Sequence, residues 1–60
     1  MSILITDGNA FAIMGEGRRE LIRLGRENEI DAFMNEMTSG DYVELLQTFT
    51  KWFPDAEIEL

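Results

Sequence analysis

A chain of 60 residues with no cysteine and no histidine has to fold on apolar contacts and hydrogen bonds alone. At this length only about 60 % of the surface exposed by the unfolded chain is buried, so such a domain is marginal by itself. Small domains are usually stapled by disulfides, by a metal or by self-association. Without thiols there are no disulfides and no thiolate ligands. Without imidazole the commonest catalytic base and a common zinc ligand are also gone. Self-association is the staple left, so one domain spanning residues 1–60 in a homo-oligomer is expected.

The apolar pattern divides the chain into short elements. Residues 2–6, Ser-Ile-Leu-Ile-Thr, are β-branched and apolar and predict a strand. Residues 10–24 predict a first helix, with Phe11, Met14, Leu21, Ile22 and Leu24 near one face and arginines toward the other. Gly25 stands where a helix-ending glycine belongs. Residues 29–38 predict a second helix, because Ile30, Phe33, Met34 and Met37 recur at i, i+3, i+4 and i+7. Asn28 is placed to cap it, with Asp31 three residues on as in a capping box. Ser39-Gly40 stops it. Residues 41–53 predict a third helix with a broad apolar stripe of Tyr42, Leu45, Leu46, Phe49, Trp52 and Phe53. Ser39 or Asp41 caps it, and Pro54 ends it.

Residues 56–60 alternate: Ala56, Ile58 and Leu60 point one way, Glu57 and Glu59 the other, as in a half-exposed strand. Its natural partner is the N-terminal strand, since pairing the chain ends covers two open edges. The expected fold class is therefore α+β: a two-stranded β-ribbon from the termini plus three α-helices. A ribbon of two strands is marginal and must pack on the helices or extend across a subunit boundary.

Charge separates the two halves. Residues 1–26 carry Arg18, Arg19, Arg23 and Arg26 against Asp7, Glu16 and Glu20, a net of +1. Residues 27–60 carry nine acids against Lys51 alone, a net of −8. The whole, at −7, repels nucleic acid, because phosphate binding needs basic patches. The start Met1-Ser2-Ile3 lacks the charged region and long apolar run of a signal peptide. No apolar run approaches the roughly 20 residues of a membrane span. A cytoplasmic protein with no membrane partner is expected.

Three features are candidates for function. Thr6-Asp7-Gly8-Asn9 joins the first strand to the first helix, whose N-terminus exposes unpaired N–H groups and partial positive charge. Backbone N–H groups at Gly8, Asn9, Ala10 and Phe11 are placed to grip an anion there, and Asp7 or Asn9 to bond a ribose or base edge. The competing reading is a structural turn with an N-cap, since these residues dominate such turns. Asp7 itself opposes a phosphate placed directly beside it. Gly15 and Gly17 are neither a dinucleotide fingerprint nor a P-loop. They imply the close approach of another helix, a second subunit or a ligand. Arg19, Arg23 and Arg26 share a helix face, with Arg18 about 100° round. They form a solvated face of ion pairs with Glu16 and Glu20, a phosphate or carboxylate fork, or a docking face for an acidic neighbouring subunit.

Of the aromatic residues, Tyr42, Phe49, Trp52 and Phe53 are expected in the core or, with Phe11, Gly15 and Gly17, at a subunit interface; stacking of Trp52 or Tyr42 on a nucleobase is the alternative, which nothing in the sequence singles out. Glu27, Glu29, Asp31 and Glu36 have no metal-binding spacing, and no nucleophile–base pair accompanies them. No enzyme, no metal and no cofactor are expected.

The runs TDGNAFAIMG and SGDYVELLQTFTKWF together resemble a family of short proteins common in bacteriophage genomes, with relatives in bacterial chromosomes. The match runs from Thr6 to Ala12 with Gly15, then Ser39 to Tyr42 with Leu45, Leu46, Gln47 and Thr48. The segment Lys51–Asp55 makes a longer tail than the family pattern has. The resemblance implies a phage-type accessory protein and assigns no chemistry to any residue. It draws attention to Gln47 and Thr48, polar residues on the shoulder of an apolar helix. Set beside Asp7, Gly8 and Asn9, they would line one polar pocket if the first and third helices start next to each other.

The leading expectation is a non-catalytic protein that sequesters a small anionic, nucleotide-like ligand, such as a host-defence signalling nucleotide. It would bind at the start of the first helix or at a subunit boundary, through Asp7, Gly8, Asn9, Ala10, Phe11, Arg18, Arg19, Gln47 and Thr48. The alternatives are an acidic inhibitor or adaptor that occupies a host enzyme's basic groove, and a phage assembly component.

Overall fold

A computed structural model describes residues 3–59. The element order is β1 (Leu4–Ile5), α1 (Ala10–Arg23), a 3-10 turn (Glu27–Glu29), α2 (Ile30–Met37), α3 (Tyr42–Trp52) and β2 (Glu57–Ile58). Three helices and one two-stranded sheet make an α+β fold, as the pattern of the chain predicts. Ser2 and Leu60, counted in the expected strands, lie outside the described residues.

The two strands pair in parallel, Leu4 beside Glu57 and Ile5 beside Ile58. Glu57 N–H donates to the Ile3 carbonyl and Glu59 N–H to that of Ile5, each at 2.7 Å. Parallel strands need a long crossover, and here the whole helical layer supplies it. Tyr42 at the start of α3 bonds Gly8 just before α1, and Trp52 at the end of α3 lies under Arg26 just after α1. The two helices therefore run side by side in the same direction.

The helix ends are chemically defined. Asn9 caps α1, its side chain accepting from Phe11 N–H at 2.8 Å. At the other end Arg26 N–H reaches the Leu21 carbonyl and Gly25 N–H that of Ile22. This is a Schellman closure, with Gly25 at a φ of 74° that costs glycine nothing. Asp41 caps α3 by accepting from Glu44 N–H at 2.9 Å. Ser39, the other residue placed to cap α3, instead donates to the Glu36 carbonyl at the end of α2. The capping box expected at Asn28 and Asp31 does not form. Residues 27–29 are wound into a 3-10 turn that runs straight into α2, whose N-cap position, Glu29, makes no side-chain cap.

The core gathers Ile5, Ile13, Met14, Leu21, Phe33, Met37, Leu45, Phe49 and Phe53. The second and third helices turn the stripes their periodicity predicts to the core, burying Phe33, Met37, Leu45, Phe49 and Phe53 and leaving Tyr42 exposed. In α1 the buried line is Ile13, Met14, Gly17 and Leu21, so Met14 and Leu21 of the face read from sequence are core and Ile13 and Gly17 join them. Phe11 is 80 % exposed, Ile22 39 % and Leu24 47 %, so the face assigned from sequence is turned away from its true position. The reason is Gly17. A Cβ there would stand under 3 Å from the Phe33 ring, so α1 and α2 meet at a position that carries no side chain. Phe33 in turn makes edge contacts with Phe49, Trp52 and Phe53 at 5.3–6.4 Å between ring centres, a favourable arrangement of aromatic quadrupoles.

Among the described residues no helix is long and apolar enough to cross a membrane.

Candidate functional site

The turn before α1 is closed on itself. Asp7 Oδ1 accepts from Asn9 N–H at 3.0 Å, and Asn9 Oδ1 accepts from Phe11 N–H. The Gly8 carbonyl accepts from the Tyr42 hydroxyl at 2.5 Å. Two of the N–H groups that would grip an anion are thus already satisfied by side chains. A cleft of about 200 Å³ opens nearby, but Asp7 and Glu16 line it with Leu4, Ile5, Thr6 and Ala12. Carboxylates on the walls of this cleft oppose an anion entering it. Of the residues expected to bind there, Gly8, Asn9, Ala10 and Phe11 do not line this cleft.

The first and third helices do start side by side, as the polar-pocket reading requires. Gln47 and Thr48 nevertheless line neither of the two clefts described here. Thr48 stands six residues beyond Tyr42, about 9 Å further along α3.

The expected interface residues divide in two. Phe49 and Phe53 are buried within the single chain, and Gly17 is closed by Phe33. These three serve the core. Phe11 is fully on the surface, and a Cβ on exposed Gly15 would meet nothing within 4 Å. Tyr42 is 40 % exposed.

The arginines are mostly paired. Arg19 meets Glu16 at 3.2 Å, Arg23 meets Glu20 through two nitrogens, and Arg26 meets Glu29 through two at 2.7 and 2.8 Å. The Arg23 and Arg26 guanidiniums hold the Glu20 and Glu29 carboxyls below the usual range, chiefly by donating those hydrogen bonds. Among the described residues Arg18 is the one cation without a carboxylate partner.

A second, larger cleft lies where α1 ends and α3 passes into β2. It measures about 260 Å³ and is lined by Glu20, Arg23, Leu24, Arg26, Trp52 and Asp55, with Ile3, Phe53, Pro54 and Ala56. The Arg26 guanidinium carbon stands 5.9 Å from the centre of the Trp52 ring, within cation–π range. Trp52 Nε1 is buried without a hydrogen bond of normal geometry. Its N–H still adds, after the Lys51 ammonium, to the pull that holds Glu36 low. The Schellman turn at Gly25 brings Arg26 back over α3. Arg23 and Arg26 belong to the arginine face seen in the sequence. Their meeting with Trp52 had no sequence signal, because it depends on the path of the chain between α1 and α3.

Acidic charge covers much of the remaining surface. Asp7, Glu27, Asp31, Asp41, Glu44, Asp55, Glu57 and Glu59 are exposed, and among the described residues none has a cation partner. Among the described residues no group of three or more carboxylates is arranged to hold a metal ion. Comparison with protein-family models, with curated proteins and with solved structures gives no match.

Proposed function

We propose that this chain is a non-catalytic binding protein of the phage-accessory type, and that it captures a small anionic, nucleotide-like ligand. The observation that carries this reading is the convergence of Arg23, Arg26 and Trp52 on one cleft. Two guanidinium forks suit a phosphate. The Trp52 ring offers a stacking surface for a base. In the free protein Glu20 and Glu29 occupy the forks. The Arg26–Glu29 pair stands at the surface, where such bonds contribute little and exchange readily, whereas the Glu20 side chain beside Arg23 is largely covered. A phosphate entering the cleft replaces a carboxylate, and the freed Glu returns to water. The site thus moves from the start of α1, which its own caps and acids close, to the end of it.

Trp52 is the only tryptophan, so its fluorescence reports on this cleft alone. Titration with a panel of mono-, di- and cyclic nucleotides is expected to quench it for the cognate class, with matching heat by calorimetry. Arg26→Ala removes charge-assisted bonds of about 1.5–3 kcal/mol, so affinity falls by tenfold or more. A panel that produces no quenching, no heat and no rise in melting temperature ends this reading.

A second reading rests on a different observation, the eight unpartnered carboxylates at the surface. An acidic surface of this kind suits the basic groove of another protein. Pull-down from host lysate at low and high salt tests it. A partner held at low salt and released at high salt is expected, and no retention at low salt counts against it.

A further inference from the structure

The two strands of the ribbon have unlike outer edges. The bonds to β2 run from the Ile3 and Ile5 carbonyls, so the N–H and C=O of Leu4 point to the opposite edge. β1 is paired on one side only. Its side chain at this point, Leu4, is apolar and 54 % exposed. A cleft lined by Leu4, Ile5, Thr6, Asp7, Ala12 and Glu16 opens beside the strand. An unpaired edge is a template for another strand, and no charged side chain stands within β1 itself to block it. The β2 edge differs: exposed Glu57 and Glu59 flank Ile58.

We propose that the β1 edge pairs with β1 of a second copy, antiparallel and centred on Leu4, making one four-stranded sheet in the order β2-β1-β1-β2. The charge pattern selects this occupant and this edge. Two β1 strands centred on Leu4 set Ile3 opposite Ile5 of the second copy and Leu4 opposite Leu4, with no charged side chain among the paired residues. The Asp7 residues of the two copies lie about 20 Å apart, beyond a Debye length in physiological salt. Two β2 strands centred on Ile58 would instead set Glu57 against Glu59 twice, and like charges directly opposite destabilise a pair. A β1-to-β2 contact would be heterologous, adding subunits into a ring or a filament, and would bring the Glu57 and Glu59 edge into the contact. The two-fold β1 pair closes after two chains, and it extends a ribbon that is marginal with two strands. It uses residues distant from the Arg–Trp cleft and stands whether or not that cleft binds a ligand.

The chain has no cysteine, so a single introduced thiol reports the pairing without ambiguity. In the proposed sheet the two Leu4 residues form a hydrogen-bonded pair with Cα atoms about 5.5 Å apart, within the roughly 4.4–6.8 Å that a disulfide spans. The two Glu57 positions are three strand spacings apart, about 14 Å, and out of reach. Under mild oxidation Leu4→Cys is expected to cross-link into a covalent dimer far faster than Glu57→Cys. By sedimentation the wild type is expected to be dimeric, and Leu4→Lys to raise the dimer dissociation constant on the order of tenfold or more, since edge lysines block strand pairing. In the unaltered chain, protection of the Leu4 amide from hydrogen exchange should rise with protein concentration. A monomeric wild type, equal cross-linking of the two cysteine variants, or Leu4 protection independent of concentration would overturn the proposal.

Discussion

Gly17 of α1 lies against the ring of Phe33 of α2, at a separation that leaves no room for a Cβ. Phe33 is fully buried and touches Phe49, Trp52 and Phe53, so this one contact ties α1 to the aromatic cluster of α3. Gly15, two residues earlier, has open space around it. The two glycines therefore respond oppositely to alanine. Gly17→Ala gains about 1 kcal/mol of helix propensity but overpacks the core at a cost of about 1–3 kcal/mol. A net loss of up to about 2 kcal/mol is expected from these terms. Gly15→Ala has only the gain, about 1 kcal/mol. Urea midpoints moving in opposite directions, at unchanged slope, check the pair.

The Tyr42 hydroxyl donates to the Gly8 carbonyl across 34 residues of chain, holding the start of α3 against the start of α1. Tyr42→Phe deletes this bond and little else. The expected loss is about 0.5–1.5 kcal/mol, toward the lower end because Tyr42 is partly exposed. Thermal melting reads it as a fall of several degrees, since about 1 kcal/mol moves the midpoint of a domain this small by roughly 4–8 °C.

Caps distinguish the two helix starts. Asp41 accepts a bond from Glu44 N–H, whereas Asn28 sits within a 3-10 turn and caps nothing. Asp41→Ala is expected to cost about 1 kcal/mol. Asn28→Ala stays within about 0.5 kcal/mol of the wild type. Equal losses by chemical denaturation would mean that the helix two start is wrongly placed.

Glu20, Glu29 and Glu36 are all held below the usual carboxylate range by hydrogen bonds from Arg23, Arg26 and Lys51 respectively. The folded state then binds fewer protons than the unfolded state, so acidification favours unfolding. Their contribution is complete above the ordinary carboxylate pKa of about 4.3 and is lost as the pH falls through the lowered folded values. Melting temperature against pH is expected to be flat near neutrality with respect to these groups and to drop in that acid window. Lys51→Met removes the cation beside Glu36 and should make the acid drop shallower.

The helices and strands were legible because each carries a local signature. The i, i+3, i+4, i+7 spacing of Ile30, Phe33, Met34 and Met37, the stripe of α3, and Gly25 past the end of α1 are properties of neighbouring residues. The α1 face was misread because side-chain hydrophobicity was its only local signal. Phe11 and Ile22 read as core, while the true contact at Gly17 has no side chain to score. The candidate site was legible only in part. Arg23 and Arg26 stood out as a cluster. Asp7 and Asn9 stood out as a possible anion turn, yet they bond that turn's own backbone.

The sequence by itself determined the number and kind of elements, the absence of covalent staples and the acidic balance of the second half. Those follow from composition and from interactions within a turn or two of chain. Only the tertiary structure decided that the end strands run parallel, that Phe33 fills the gap at Gly17, and that Arg26 returns over Trp52 to make the cleft. Each joins residues 16 to 53 positions apart in the chain. Their meeting depends on how three helices pack together, which no local pattern encodes.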